Sequence, residues 1–125
     1  MKKIILLLLF IPLVSFGQIS RGETIDKMVK ECVDDLIPMD FNNGIVWTNS
    51  LNEDNLKKVN IYTVSDEGLS VVRDYISKWQ LVDELRKVPN KAGYKVSQEM
   101  KIVNIWRYYH NKNLIKEIII RPEEW

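Results

Sequence analysis

Along residues 20–37 the apolar side chains return every three or four positions. Ile25, Met28, Val29, Cys32, Leu36 and Ile37 fall on one side, while Asp26, Lys27, Lys30, Glu31, Asp34 and Asp35 take the other. That pattern predicts an amphipathic helix. Ser20 and Glu23 stand at capping-box spacing at its start, and Pro38 stops it. The period then changes. Asn42-Asn43-Gly44 is a turn signal, because Asn and Gly tolerate positive φ. Residues 45–51 follow as a strand and 52–55 as a loop. In the next strand, 58–64, Val59, Ile61 and Thr63 alternate with Asn60 and Tyr62.

Residues 69–87 fit two periods. As a helix, Leu69, Val72, Ile76 and Trp79 share a face; as strands, Leu69, Val71, Tyr75, Trp79 and Leu81 do. The run Ser65-Asp66-Glu67-Gly68, closing on a left-handed glycine, joins two strands well, so the segment is read as a hairpin. After Gly93, the apolar Tyr94, Val96, Met100 and Ile102 alternate with Lys95, Ser97, Glu99 and Lys101, which predicts a half-buried strand.

Residues 102–109 and 114–121 flank Asn111-Lys112-Asn113 as a last hairpin. A three-residue loop sets Arg107 opposite Glu117, Trp106 opposite Ile118 and Ile105 opposite Ile119. A two-residue loop would oppose Arg107 to Lys116, and like charges facing each other destabilise a strand pair. The three-residue loop is therefore preferred, with Asn113 in the left-handed position. Both faces of this hairpin are apolar, which predicts a central place with cover on each side.

The fold class that follows is α+β, one N-terminal helix packed on an antiparallel β-meander. In the order of its elements it resembles the cystatin-like and nuclear-transport-factor-like layouts, in which a curved sheet wraps a helix. No functional residue carries over from that likeness, and a fold does not fix a function.

The first residues change the picture of where this domain works. Lys2 and Lys3 precede an apolar run from Ile4 to Val14, and Ser15 and Gly17 supply the small positions before a cut, so residues 1–17 read as a cleaved export signal. Eleven apolar residues rise about 16 Å as a helix, roughly half a bilayer's hydrocarbon thickness. No membrane anchor is expected after cleavage, and the single domain, residues 18–125, is placed in the periplasm or the medium. Two of the 18 basic residues leave with the leader, so 16 Lys and Arg face 17 Asp and Glu, a net charge of −1. Without a basic cluster, nucleic acid is not an expected partner. One cysteine excludes an internal disulfide, and the fold must rest on packing.

Candidate chemistry is sparse. Cys32, on the apolar stripe of the helix, reads as a buried small hydrophobe. His110 is the only histidine, which excludes a two-histidine zinc site. The acidic pairs fall at expected turns and surfaces, and neither phosphate-loop nor nucleophile-elbow patterns occur. No catalytic residue, metal ligand or cofactor is assigned. The aromatics are the one oddity: Trp47, Trp79, Trp106 and Trp125, with five tyrosines. Most should be core, but Trp, Tyr and Arg also dominate interface hot spots. Arg107, Tyr108 and His110 beside the hairpin loop are the candidate ligand-binding residues. Tyr108, opposite Lys116, is taken as the exposed aromatic, and Trp125 either tucks onto the domain or lies open. The expected function is a non-catalytic exported binding domain for a protein or small molecule. The alternative is a small hydrolase or thiol enzyme using Cys32 and His110.

Overall fold

The computed structural model describes residues 21–87 and 93–125. Residues 1–17, read above as an export signal, and Ser20 lie outside them. Residues 21–35 form helix α1, followed by strands β1 (Met39–Asp40), β2 (Ile45–Glu53) and β3 (Lys57–Val64). Helices α2 (Leu69–Tyr75), α3 (Lys78–Arg86) and α4 (Gly93–Met100) come next, then strands β4 (Val103–His110) and β5 (Asn113–Ile120). The five strands make one sheet in the order β1-β2-β3-β4-β5. All neighbours are antiparallel except β3 and β4, which run parallel. The α+β class holds, and the helices between β3 and β4 explain the departure from a plain meander. A parallel pair cannot be closed by a tight turn and needs a long crossover.

That crossover corrects two expectations. Residues 69–87 are two helices, not a hairpin. Gly68 has φ −80° and precedes α2 instead of closing a left-handed turn. The ambiguous period arises at Ile76, whose extended backbone (φ −107°, ψ 111°) breaks the helical phase. Ser77 then restarts it, its hydroxyl accepting from the Gln80 amide at 3.4 Å. Residues 94–100 are also helical. The alternation there failed at Gln98, while Ser97 is fully buried and accepts from Asn104 Nδ2 at 2.7 Å. Lys101 turns left-handed (φ 56°) and the Ile102 amide returns to the Ser97 carbonyl at 2.9 Å, a Schellman ending.

The helices sit on one face of the sheet. Ser50, Asn60, Trp106 and Ile118 are successive neighbours across it, and so are Trp47, Tyr62, Tyr108 and Lys116. The core gathers Tyr62, Trp106, Tyr108, Ile118 and Ile120 from this face with Val72 of α2 and Val82 of α3. Trp125 joins it, 8 % exposed, edge-on to Trp106 at 6.4 Å and beside Tyr94 at 6.0 Å. On the opposite face Arg107 binds Glu117 at 2.8 Å and Glu53 at 3.2 Å, so its guanidinium reaches across β3. Val59, midway along β3 on that face, is fully buried.

The last hairpin keeps most of the expected register by a different route. Arg107 opposes Glu117, Trp106 opposes Ile118 and Ile105 opposes Ile119. The loop, however, is two residues: Asn111 and Lys112 both have positive φ, and His110 pairs with Asn113. That is the twist a two-residue hairpin favours. A bulge beyond Tyr108 then adds the missing residue, so Tyr109 faces Leu114 and not Ile115. The hairpin is not central either. β5 is an edge strand.

Candidate functional site

Two turns and the end of β3 enclose a cleft of about 760 Å³. Its near wall is the β1–β2 turn. There the Asn42 amide donates to Asp40 Oδ1 at 2.8 Å and the Ile45 amide to Asn43 Oδ1 at 3.1 Å. Asn42 and Gly44 carry the positive φ values, 60° and 85°, as the turn motif requires. The Gly44 carbonyl accepts from the Ser65 amide (2.8 Å) and the Ser65 hydroxyl (3.2 Å), tying this turn to the end of β3. Asn111 and Lys112 of the last hairpin form the opposite lip, and Thr63 and Val46 part of the floor.

The lining mixes charges. Asp40 and Glu67 bring carboxylates, Lys112 an ammonium, and Asn42, Ser65 and Asn111 neutral donors and acceptors. His110 Nε2 lies 2.7 Å from Asp66 Oδ1, holding the hairpin to the 3₁₀ turn that carries Glu67. Such a surface can hold a polar group by several hydrogen bonds at once.

The residues singled out in the sequence divide around this cleft. His110 stands at its rim, paired and not merely solvated. Arg107 points to the sheet face opposite the α2 and α3 core, where its bonds to Glu117 and then Glu53 hold its pKa above the usual guanidinium value. Tyr108 is on the other face and is buried, 3 % exposed, stacked on Tyr62 at 4.7 Å. Lys116 did not mark a wet side. Its ammonium reaches the carbonyls of Val72 (3.0 Å) and Ile76 at the end of α2, satisfying helix acceptors while its stem covers the tyrosine face. Arg107, Tyr108 and His110 therefore form no single surface. The turn residues of the cleft were missed as a site, although Asn42-Asn43-Gly44 and Asn111-Lys112 were legible as turns.

Cys32 and His110 are not brought together. Lys58 lies beside Asn104 and His110 is six residues further along β4, about 20 Å at strand rise. Cys32, half-buried and not fully on the core side, interacts with Lys58. Lys58 is itself buried, donates to Asn60 Oδ1 at 3.0 Å and lies 5.7 Å from the Trp47 ring centre. Burial pushes its ammonium pKa down, and Cys32 only partly opposes this. In the unfolded chain the same group stays protonated to about pH 10.4. The unfolded state then binds the extra proton, so this residue's destabilising effect is greatest at low pH and fades as pH rises toward that value. Lys58→Met is expected to stabilise the domain by about 1 kcal/mol at pH 7 and to flatten this rise. Urea midpoints of both proteins between pH 6 and 10 check it; parallel pH profiles would show that Lys58 is charged at no cost.

No protein-family model matches the chain, and neither does any curated protein. Solved structures do. A Pseudomonas aeruginosa protein thought to be secreted superposes with a TM-score of 0.68 at 13 % identity, covering 86 % of this chain and 95 % of that one. The fold is shared with two secretion-system pilotins. The type 2 secretion pilotin EpsS of Vibrio vulnificus matches with a TM-score of 0.60 at 9 % identity, over 88 % of this chain and 96 % of its own. The type II pilotin AspS of Vibrio cholerae gives 0.61 at 7 % identity, over 90 % and 98 %. At these identities the likeness is one of fold. Among the described residues no helix is long and apolar enough to cross a membrane, and no cluster of metal-ligating side chains occurs.

Proposed function

We propose that the protein is an exported interaction module that holds a protein partner at the loop end of its sheet. The observation that supports this most is the fold, shared over nearly its whole length with a protein thought to be secreted and with two pilotins of type II secretion systems. The cleft between the β1–β2 turn and the last hairpin is the surface assigned to that role. It is concave, carries both charges and is built from turns, where binding residues concentrate. The leader-like first residues support a role outside the cytoplasm, in the periplasm or the medium.

The test is affinity capture from the cell's own extracytoplasmic fraction with three baits: wild type, Thr63→Trp and Glu67→Lys. Thr63 and Glu67 are exposed, so both variants should keep the wild-type melting temperature. A partner held by wild type should be reduced about tenfold or more on either variant, equivalent to roughly 1.4 kcal/mol. Equal capture by all three would remove the cleft from the binding surface.

A further inference from the structure

The sheet has two edges, and only one is protected. At the first, β1 is two residues long and β2 is interrupted by a bulge between Trp47 and Asn49. Short strands and bulges are the usual means of keeping an edge from pairing. β5 has neither in its second half. Residues 116–120 pair with β4 in unbroken register, contain three consecutive isoleucines and no proline, and among the described residues face no strand on their outer side. Each second residue there presents its N–H and C=O outward, a row that only another extended backbone satisfies along its length.

We propose that β5 pairs antiparallel with β5 of a second copy of this chain, making a continuous ten-stranded sheet about a two-fold axis. Charge and the extent of the regular strand together select the register. A two-fold centred on Lys116 or Glu117 would set like charges directly opposite each other, which disfavours both. Centred on Ile118, the regular stretch 116–120 meets its own copy, with Lys116 against Ile120 and Glu117 against Ile119. The same antiparallel arrangement carries the hairpin turn of one chain to the segment after β5 of the other. Lys112 in that turn and Glu123 in that segment are both exposed, and neither has an ion-pair partner among the described residues. The dimer thus brings two otherwise unpaired opposite charges together twice. It also covers apolar surface. Helices α2 and α3 lie over β5, and their Tyr75 and Trp79 are 70 % and 62 % exposed, the most open aromatics among the described residues. A two-fold normal to the sheet sets the helices of both copies on one side, where these rings become contact between layers.

Sedimentation of the mature domain, with reductant present so that Cys32 cannot crosslink, tests the proposal. Wild type should form dimers that dissociate on dilution. Lys112→Asp and Glu123→Lys should each raise the dissociation constant about tenfold, and the double variant should recover most of the loss. Lys112 already has positive φ, which Asp accepts, so the variants should keep the wild-type melting temperature. Amide exchange read at two concentrations locates the contact: outward amides of residues 116–120 should slow as the dimer fills. A domain still monomeric at about 1 mM, or a dimer whose β5 amides exchange at the monomer rate, overturns the proposal. So does a dimer on which both single variants have no effect.

Discussion

Tyr108→Ala should lower stability by about 3–5 kcal/mol, the range for removing a buried aromatic ring. The ring is enclosed by Tyr62, stacked at 4.7 Å, and by the core formed with Val72, Ile118 and Trp106. Truncation would leave Tyr62 without that stack and Lys116 over a void. Tyr108→Phe keeps the ring and should cost less than about 1.5 kcal/mol, as volume-conserving changes do. Burial also pushes the Tyr108 phenol up to about 12. Its ordinary value is about 10, so the stability held by the neutral phenol is complete below pH 10 and is lost as pH rises through about 12. Urea denaturation of the three proteins at pH 7 checks the first claim. A Tyr108→Ala midpoint equal to wild type would put the ring in solvent and Lys116 away from α2.

That burial shows where sequence reasoning stops. Like-charge avoidance in the hairpin placed Tyr108 opposite Lys116, and the pairing is correct. Which side of the sheet is dry depends on layers that come from elsewhere in the chain. Here they are α2 and α3, and residues 69–87 carried two periods because Ile76 and Ser77 reset the helix phase. Once those helices exist, a lysine stem is good cover and its ammonium a helix cap, so a charged neighbour no longer reports water. The opposite pair, Arg107 with Glu117, was legible because it needs only the hairpin itself. The register also shows how two errors can cancel: the loop is one residue shorter than expected, and the bulge restores that residue three positions later. The α1 helix, its stop before Pro38 and the first two long strands were legible for the same local reasons, although of the expected α1 stripe Ile25 is buried and Leu36 is 45 % exposed. The cleft was not, because its lips come from turns nearly seventy residues apart in sequence.

Gly44→Ala is expected to destabilise by about 3 kcal/mol, and Gly68→Ala by less, and the difference separates two causes. Gly44 has φ 85°, where an L side chain is strained by of order 1–3 kcal/mol. A Cβ there would also stand 2.7 Å from Ser65 Oγ and 2.8 Å from the Gly68 Cα, closer than such atoms approach. The hydroxyl could rotate away; the backbone could not. Gly68 has an ordinary φ of −80°, so a Cβ there meets only the steric part, 2.5 Å from the Gly44 carbonyl oxygen and 2.9 Å from Val64 Cγ1. Overpacking of that kind costs about 1–3 kcal/mol. The two glycines are thus one feature: each is small because the other's backbone passes against it, and Gly68 serves that approach and not a left-handed turn. Their contact holds the β1–β2 turn against the 3₁₀ turn that bears Asp66 and Glu67, which sets the width of the cleft. Gly44→Asn relieves part of the strain, since Asn tolerates positive φ, but keeps the clash. It should therefore fall between Gly44→Ala and Gly68→Ala in thermal or urea unfolding. Equal losses for Gly44→Ala and Gly68→Ala would mean that the clash alone sets the cost. A Gly44→Ala protein as stable as wild type would mean that the turn and the 3₁₀ segment are not held in contact, and the cleft would lose its wall.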